Sequence, residues 1–464
     1  MSPRMRRRLV FLFLAALLMS VFSAGAGVAA APELGCAGVT QVPLSECQAL
    51  QALYSSTNGA QWNEQGGWAT TNTPCSWYGV TCQAGHVSQL DLSDNNLAGP
   101  LPAQLSDLSQ LRALSLRLNN LTGSVPVGLG NLTQLQTLDL SANQLTGAVP
   151  TQLSGLAALQ TLNLSDNDLT GAVPTQLTGL TALQTLNLSS NQLTGQIPPA
   201  LGGMASLVEL NLASNQLTGA IPTQLGNLAN LQLLGLSKNA LTGAIPPSLG
   251  QLSHLMDLAL SYNQLSGSIP SELGNLGQLT GLMLGNNRLT GVIPDSLGNL
   301  GNITDIWLNS NALSGAVPIS LCNPARLVML ELAYNSLSSA PWCMAFLDPF
   351  WRETQTMAPT NLTAALGATQ ATLSWTPIEY QGKTGYYEIS YRPMGGAFTV
   401  HGVTANKSVS SYVVTGLTPG VKHEFRVRTF TAAHDEPPGY QQNALWSDYA
   451  VTPHSLFMPL ISRR

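Results

Sequence analysis

The sequence predicts a curved solenoid with a parallel inner β-sheet, followed by a separate all-β sandwich. Two observations carry this prediction. From Val87 onward the chain repeats every 24 residues, without insertion or deletion, through eleven units. After about residue 358 this period stops, and short alternating runs separated by turns replace it. Stacked repeats that cover each other's apolar edges form a solenoid, whereas evenly spaced short strands without helices indicate a sandwich.

Each unit follows one template of leucines, an asparagine, a glycine and a proline. In the unit that begins at Leu135, Leu138 and Leu140 alternate with polar neighbours at a period of two, which indicates a short strand. Gly147 and Pro150 follow, and neither residue type continues a helix or a central strand, so the chain must turn and come back. The units begin at Val87, Leu111, Leu135, Leu159, Leu183, Leu207, Leu231, Leu255, Leu279, Ile303 and Leu327.

An asparagine stands at the ninth place of every unit. An amide flanked by leucines on an inward turn is costly when it lacks hydrogen-bond partners. We therefore expect a ladder in which each side chain bonds backbone groups of adjoining coils, and a loss of about 1 to 3 kcal/mol when one rung is removed. The rungs are Asn95, Asn119, Asn143, Asn167, Asn191, Asn215, Asn239, Asn263, Asn287, Asn311 and Asn335.

The repeat resembles the plant-type leucine-rich repeat (LRR) family, whose signature L-x-G-x-(I/V)-P recurs from residue 87 to about residue 337. The preceding segment, with Trp62, Trp68 and residues 74–82, resembles the N-terminal cap of LRR ectodomains. The resemblance implies an α/β-type LRR solenoid, a right-handed arc of mostly strand and loop with about eleven short parallel strands inside the curve. At about 4.8 Å per strand, the inner sheet would be roughly 50 Å long, enough for an extended partner.

The C-terminal module at residues 358–453 resembles a fibronectin type III domain, an all-β sandwich. The resemblance lies in Trp375, in residues 386–391, and in residues 416–420 that lead into Phe425. One departure is His423, where the family usually has a tyrosine that bonds back to the loop, and we expect the imidazole to replace that donor. Strands are predicted at residues 371–375, 386–391, 398–403, 411–414, 424–430 and 449–452.

The N-terminus predicts export. Residues 1–31 combine four arginines, an apolar run at 9–22 and a series of small residues, the layout of a secretory signal peptide. Cleavage would leave 14 basic against 23 acidic residues, a formal charge of about −9, which disfavours nucleic acid as a partner. A membrane anchor is the alternative for the apolar run, although 14 residues are short for a span. No later segment is apolar enough for an anchor, so we expect a secreted, extracellular protein that is either free or associated with the cell surface.

The other domain boundaries follow from these features. We expect an N-terminal LRR cap at residues 32–86, repeats at 87–337, a C-terminal cap and linker at 338–357, and a tail at 454–464 that is either a sorting signal or a frayed end. The residues expected to close the open end of the solenoid are Trp342, Phe346, Phe350 and Trp351.

Six cysteines in an exported chain indicate disulfides. Proximity favours three of the possible pairings, each in or beside a terminal cap: Cys36 with Cys47, Cys75 with Cys82, and Cys322 with Cys343. A metal site is the rival interpretation, but no C-x-x-C or Cys/His grouping is present, and we predict neither a metal nor a cofactor.

Catalytic motifs are absent from the sequence. The histidines lie in no motif, and the spacings of serine hydrolases, zinc proteases, phosphate loops and calcium loops do not occur. Carboxylates on early inner strands could pair for glycoside hydrolysis, but a solvated acidic face accounts for them more simply, and we predict a non-enzymatic protein. These carboxylates are Asp91, Asp94, Asp139 and Asp166.

The third, fifth, seventh and eighth places of each unit are expected to line the concave inner face. Units three to five are near-copies there, as is typical of a scaffold, whereas units eight to eleven differ and form the predicted recognition surface. Exposed aromatic residues beside hydrogen-bonding groups are typical of binding sites. Packing of Trp307 and Tyr334 against the C-terminal cap is the open alternative. The predicted binding residues are Asp257, Tyr262, Met283, Asn286, Asp305, Trp307, Asn309, Glu331 and Tyr334.

Together these features predict extracellular recognition of a protein, a peptide or a polysaccharide on the concave face. The fibronectin-like module would act as a spacer or a second contact. This resembles plant LRR ectodomains and the secreted LRR inhibitors of cell-wall enzymes. The alternatives are a structural or adhesive surface protein without a defined ligand and, ranked lowest, a secreted hydrolase.

Overall fold

The repeat units stack into a solenoid, and a sandwich of two sheets follows it in the chain, which confirms the predicted fold class. This computed structural model describes residues 36, 38–348, 354–378, 384–432, 434–435, 441–442, 445–447, 450–452 and 456–457. The predicted signal peptide, Phe350 and Trp351 lie outside the described residues, as does the predicted tail except for residues 456–457.

One long sheet lines the inner curve of the solenoid. Each unit contributes a short strand, paired in parallel and in register with the next unit, as Thr185 pairs with Glu209. The leucine in the middle of each strand is buried, because successive side chains of a strand point to opposite faces. The strands are Val80–Gln83, which is antiparallel to its neighbour, and then His86–Asp91, Ala113–Ser115, Thr137–Asp139, Thr161–Asn163, Thr185–Asn187, Glu209–Asn211, Leu233–Gly235, Asp257–Ala259, Gly281–Met283, Asp305–Trp307 and Met329–Glu331.

A second set of short strands lies on another side of the coils. Gly147 has a φ of +79°, a left-handed conformation that glycine adopts without steric cost, and its equivalents in other units share it. These strands are Ala98–Pro100, Asn120–Thr122, Thr146–Ala148, Asp168–Thr170, Thr194–Gln196, Gln216–Ala220, Ala240–Ala244, Gln264–Gly267, Arg288–Gly291, Ala312–Ala316 and Ser336–Ser339.

Each coil then returns through a one-turn 3₁₀ helix that follows its proline. These helices are Ala103–Asp107, Val127–Asn131, Thr151–Gly155, Thr175–Gly179, Pro199–Gly203, Thr223–Asn227, Pro247–Gln251, Ser271–Asn275, Asp295–Asn299 and Ile319–Cys322. Their central leucines are buried and extend the apolar stack from coil to coil.

The asparagines form a ladder through this core. Asn215 donates from Nδ2 to the carbonyl oxygens of Leu188 (3.0 Å) and Leu212 (3.1 Å), and its Oδ1 accepts the backbone N–H of Leu193 (2.9 Å). The equivalent contacts occur in the other units, as at Asn335. Each rung therefore satisfies its amide inside a leucine core and joins two coils.

The N-terminal cap covers the first coil with the helix Leu44–Ser56, two 3₁₀ turns and an aromatic cluster. Glu46 on this helix accepts the backbone N–H of Val87 (2.7 Å) and contacts Nδ1 of His86 (2.6 Å). The 3₁₀ turns are Gly59–Gln61 and Pro74–Ser76. Tyr54, Trp62, Trp68 and Trp77 pack ring against ring. The disulfides are Cys36–Cys47 and Cys75–Cys82 here and Cys322–Cys343 at the other end, which are the pairs expected from the sequence.

The C-terminal end of the solenoid is closed differently from the prediction. Trp342 and Phe346 are 72% and 82% exposed beside the short helix Met344–Leu347, so the prediction that they cover the last coil was wrong. Gln355 extends the ladder instead: its Nε2 donates to the carbonyl oxygen of Leu332 (3.0 Å), and its Oε1 accepts the N–H of Leu337 (3.1 Å). A hydrogen-bonded segment therefore meets the last coil.

The C-terminal module is a sandwich of two antiparallel sheets. The first sheet contains Thr360–Leu366, Gln370–Thr376 and Ser411–Thr415. The second contains Thr399–Val403, Gly385–Pro393, Lys422–Thr431 and Leu445–Trp446, and the strands Ala450–Val451 and Leu456–Phe457 also pair with Lys422–Thr431. The short strands His434–Asp435 and Gln441–Gln442 pair antiparallel with each other. The strand Thr360–Leu366 was not predicted.

His423 fills the position of the missing tyrosine in the sandwich. Its Nδ1 lies 3.0 Å from the carbonyl oxygen of Val421, in the loop that precedes its strand, and the side chain is buried. The imidazole therefore bonds back to the loop, as expected.

The last coil packs directly against the sandwich. Thr356 Oγ1 donates to Thr431 Oγ1 (2.9 Å), and Thr429 Oγ1 donates to the carbonyl oxygen of Met357 (2.7 Å). Tyr334 of unit eleven packs against the sandwich core. The sandwich therefore lies next to the C-terminal end of the inner sheet.

Candidate binding face on the inner sheet

The first half of the inner face satisfies its own polar groups. In unit three, Asp139 Oδ1 accepts both the backbone N–H (2.9 Å) and the hydroxyl (2.6 Å) of Ser141. The same two bonds join Asp91 to Ser93, Asn163 to Ser165 and Asn187 to Ser189. The fifth-place side chains are thus held against their own strands, and two of the carboxylates considered for hydrolysis are among them.

This internal pairing is lost in the later units. The fifth places of units seven to eleven hold Gly235, Ala259, Met283, Trp307 and Glu331. In unit eight, Ser261 keeps the hydroxyl, but Ala259 has no oxygen to accept it. Ser261 is only 5% exposed, and its Oγ has no hydrogen-bond partner. The change of sequence therefore leaves a buried hydroxyl unsatisfied at this end of the sheet.

Apolar side chains are exposed on the same strands. Met283, Trp307 and Glu331 are in-register neighbours at the fifth places of units nine to eleven. Trp307 is 37% exposed, and Met329, also exposed, pairs with Asp305 on the neighbouring strand. Trp307 thus faces solvent on the inner curve. Contiguous exposed apolar groups are typical of a binding surface.

Two carboxylates flank a glycine at the third places of units eight to ten. Asp257, Gly281 and Asp305 are in-register neighbours on three consecutive strands. Asp257 Oδ1 lies 2.7 Å from the position that a Cβ on Gly281 would occupy, so the carboxylate leans over the glycine. On the other side, Thr304 Oγ1 donates to Asp305 Oδ2 (2.6 Å). The absence of a side chain at Gly281 therefore lets the Asp257 carboxylate lean toward the strand of Asp305.

The carboxylates of this region are crowded and partly desolvated. Desolvation, and then the charge of Asp305, raises the pKa of Asp257 above its ordinary value. Desolvation, and then the charge of Asp348, raises the pKa of Glu331. Desolvation also raises the pKa of Glu209, two strands before Asp257. Throughout the described part of the chain, ion pairs occur elsewhere and not at these acids, so the face carries negative charge without a protein counter-ion.

Two of the three predicted binding residues at the eighth place, Asn286 and Tyr334, do not lie open on the inner face. The residue at this place is left-handed in all eleven units, with φ between 53° and 59°, which interrupts the alternation of the strand. Asn286 is buried (8% exposed), with Oδ1 unpartnered. Tyr334 packs against the sandwich core, and the ring of Tyr262 lies 5.8 Å from the Nζ of Lys238.

The structure thus brings five of the nine predicted binding residues together. We call the inner-face patch the group Asp257, Gly281, Met283, Asp305, Trp307, Met329 and Glu331. Asn309 borders it at the seventh place and donates from Nδ2 to Ser310 Oγ (3.4 Å). The list of binding residues drawn from the sequence omitted Met329, although it occupies a third place, that of unit eleven. It also omitted Gly281, because a residue without a side chain gives no signal in a list of lining groups.

A shallow groove runs along the edge of the inner sheet over units five to seven. It was not predicted, because it uses the second and last places of the units. Its walls are uncharged at most positions, and His254 Nδ1 contacts the carbonyl oxygen of Ala229 (2.9 Å). The lining residues are Gln184, Ser206, Val208, Asn230, Gln232 and His254.

Comparison with known families agrees with this architecture. Profiles described as "Leucine rich repeat" match residues 85–145, 133–193, 157–217 and 277–337, and also 230–252 and 254–276. The "Leucine rich repeat N-terminal domain" profile matches residues 43–83, and the "Fibronectin type III domain" profile matches residues 357–442.

The curated relatives are plant proteins that match over short segments. Leucine-rich repeat protein 2 of Arabidopsis thaliana is 41% identical over 73 residues, 16% of this chain and 34% of that protein. The brassinosteroid LRR receptor kinase BRL3 of Oryza sativa subsp. japonica is 51% identical over 55 residues, 11% of this chain and 4% of that protein. The chain spans less than a tenth of the length of four curated relatives that it matches.

Solved structures match over most of the solenoid. The LRR ectodomain of the receptor kinase GASSHO1/SCHENGEN3 from Arabidopsis thaliana, in complex with CASPARIAN STRIP INTEGRITY FACTOR 2, is 35% identical, with a TM-score of 0.61 over 68% of this chain and 39% of that chain. The Arabidopsis receptor kinase HAESA, in complex with the peptide hormone IDA and the co-receptor SERK1, is 38% identical, with a TM-score of 0.58 over 62% of this chain and 50% of that chain. A plant ice-binding protein is 29% identical, with a TM-score of 0.54 over 65% of this chain and 97% of that chain.

Within the described residues, no helix has the length and hydrophobicity needed to cross a membrane.

Proposed function

Because the chain belongs to the plant-type leucine-rich repeat family and carries a C-terminal fibronectin type III domain, we propose that it is an extracellular, non-enzymatic binding protein that recognises a peptide or an extended protein segment on the inner-face patch. The observation that carries the proposal is the change along the inner sheet. Early units bond their fifth-place side chains internally, whereas units eight to eleven present Trp307, Met283 and unpaired acids instead.

The geometry of the patch suits a short extended segment. It spans four adjacent strands, so its length is about 14 Å at about 4.8 Å per strand, and an extended chain of roughly four residues covers that distance. Trp307 lies on the third of these strands and serves as the anchor, since exposed aromatic residues dominate many binding interfaces.

The similar structures support a peptide as the ligand. HAESA is described in complex with a peptide hormone, and PEPR1 in complex with AtPEP1. The second of these resembles the chain at 32% identity with a TM-score of 0.51, over 68% of this chain and 51% of that chain. The solenoid of this chain is of the same kind, although its inner-face residues are its own.

Selection from a random peptide library displayed on phage tests the proposal. The purified chain should enrich peptides, and the Trp307→Ala variant should not, because loss of an aromatic anchor typically costs about 2 kcal/mol or more, roughly thirtyfold in affinity. Thr161→Ala, at a third place of the copied unit four, is the matched control and should behave like the unmodified chain. Equal enrichment by Trp307→Ala, or no enrichment by the unmodified chain, would contradict the proposal.

A second candidate function, binding to ice, is favoured by one specific observation. Seven coils carry an exposed threonine at the same place of the second set of short strands, namely Thr122, Thr146, Thr170, Thr194, Thr218, Thr242 and Thr290. A crystal surface repeats its contacts at a fixed spacing, and it therefore suits a protein face that does the same. The similarity to a plant ice-binding protein covers 97% of that chain. Inhibition of ice recrystallisation that is abolished by Thr194→Tyr but retained by Trp307→Ala would favour this function, and no inhibition at all would exclude it.

A further inference from the structure

We infer that the segment bound by the inner-face patch presents a basic side chain, lysine or arginine, which is held between Asp257 and Asp305 above Gly281. This inference rests on the proposed function and adds the chemistry of the ligand. It is carried by the geometry of three adjacent strands and by an unsatisfied hydroxyl on the same face.

The two acids stand at a separation that a bound side chain can bridge. Asp257 and Asp305 flank Gly281 in register, so their Cα atoms are about two strand spacings, roughly 10 Å, apart. Gly281 contributes no side chain and is itself buried, because the Asp257 carboxylate and the Cε methyl group of Met283 lie over it. A cationic head can approach both carboxylates while its methylene stem lies against Met283.

Hydrogen bonds within the protein leave at least one oxygen of each acid available to a ligand. Asp305 accepts one hydrogen bond from Thr304, which fixes its orientation and leaves the other carboxylate oxygen available. In the described structure, neither a side-chain hydrogen bond nor an ion pair holds the carboxylate of Asp257. Two acids at this separation repel each other, and a cation between them removes that repulsion.

The unsatisfied hydroxyl of Ser261 is an independent indication that this face binds a polar group. Ser261 stands at the seventh place of unit eight, two residues beyond the strand Asp257–Ala259. In the copied units the equivalent hydroxyl points back to the fifth place, as Ser141 does to Asp139. Here the fifth place is Ala259, and the buried hydroxyl has no partner, so a polar group of the ligand above Ala259 would satisfy it.

The charge and aromatic content of the patch favour a cation over a neutral donor. Glu331 adds a third acid beside Trp307, on adjacent strands. Arginine and lysine are attracted both to carboxylates and to an indole face. An anionic or purely apolar peptide would leave these acids desolvated and unpaired, which is costly.

The experiment compares peptides selected by the unmodified chain with those selected by the double variant Asp257→Asn, Asp305→Asn, which keeps side-chain size and removes the charge. We expect the unmodified chain to enrich peptides that contain a lysine or arginine next to an apolar residue, and the double variant to lose this bias. For one selected peptide, Asp257→Asn alone should weaken binding about tenfold, the loss typical of a hydrogen bond to a charged group. Replacing the peptide's basic residue with methionine should have the same effect and add nothing to the variant.

Gly281→Ala gives a second, charge-neutral test, because the new methyl group would occupy the space into which Asp257 leans. It should weaken binding of the same peptide, and an unchanged melting temperature would show that the fold is intact. Selected peptides without a basic residue, still dependent on Trp307, would overturn the inference and leave the proposed function standing. Binding that requires added calcium would assign the acids to a metal and also overturn it. If no peptide is enriched, both the proposed function and the inference fail.

Discussion

Removal of a single rung of the asparagine ladder should destabilise the solenoid by an amount that the structure lets us work out. In Asn215→Ala, the carbonyl oxygens of Leu188 and Leu212 each keep a second bond, from Asn191 and Asn239 respectively. The backbone N–H of Leu193 instead loses the side-chain oxygen that accepted it at 2.9 Å. An orphaned buried donor costs about 1 to 3 kcal/mol, so we expect a loss of about 2 kcal/mol in the free energy of unfolding.

Urea unfolding, followed by circular dichroism and by tryptophan fluorescence, measures this loss. Gln216→Ala is the control, because Gln216 is the exposed neighbour of the rung and should change stability by less than about 0.5 kcal/mol. Asn215→Asp should be at least as harmful as alanine, since it keeps an acceptor but sets a carboxylate oxygen against two carbonyl groups. If Asn215→Ala unfolds at the same urea concentration as Gln216→Ala, the energetic role assigned to the ladder is refuted.

Three further predictions concern the end of the ladder and two perturbed ionisable groups. Gln355→Ala should lower the free energy of unfolding in urea by about 1 to 2 kcal/mol, because it leaves the N–H of Leu337 without its acceptor. Gln355→Glu keeps an acceptor and should restore part of this loss only at low pH, where the carboxyl group is protonated and neutral. Folding raises the pKa of Asp257, so the charged carboxylate is disfavoured in the folded state, and its contribution to stability falls as pH rises through the normal range of an aspartate. The Asp257→Asn variant should therefore melt at the same temperature as the unmodified chain or a higher one at pH 7. This difference in melting temperature should vanish near pH 3. Burial lowers the pKa of Lys407 to about 8. Above pH 8 the folded state therefore releases a proton that the unfolded state retains up to about pH 10.5, and the stability of the fold rises with pH in that interval. Thermal melts recorded between pH 8 and pH 10 should show this rise for the unmodified chain and not for Lys407→Met.

The fold was largely predictable because its signals recur in every unit. The asparagine at the ninth place has the same role eleven times, and the fourth place is leucine in ten units and Ile306 in the other, so one unit explains the rest. The two ends of the solenoid do not follow the repeat, so this argument did not apply to them. Trp342 and Phe346 are apolar and adjacent to a cysteine, yet both remain exposed, while Gln355, a single polar residue in a linker, closes the ladder. Only the coordinates show that its amide reaches two backbone groups.

The site was predicted in part for a related reason. Alternation along a strand placed Asp257, Asp305 and Trp307 correctly on the inner face. It failed for two residues at the eighth place, where a left-handed residue ends the alternation: Asn286 is buried, and Tyr334 packs against the sandwich core. A non-glycine residue in that conformation is unfavourable in isolation, and side-chain patterns alone do not reveal it.

The position of the inner-face patch follows from how the solenoid is stabilised. Units three to five gain bonds between the fifth and seventh places, as between Asp139 and Ser141, whereas units eight to eleven rely on leucine burial and the ladder. An unsatisfied hydroxyl such as that of Ser261 weakens this end by about 1 to 3 kcal/mol. The sandwich adds hydrogen bonds at the same end, a buried one between Thr356 and Thr431 and a partly buried one from Thr429. A binding face that gives up internal bonds is therefore best supported beside the junction, and a ligand that satisfies those groups should stabilise units eight to eleven more than the copied units.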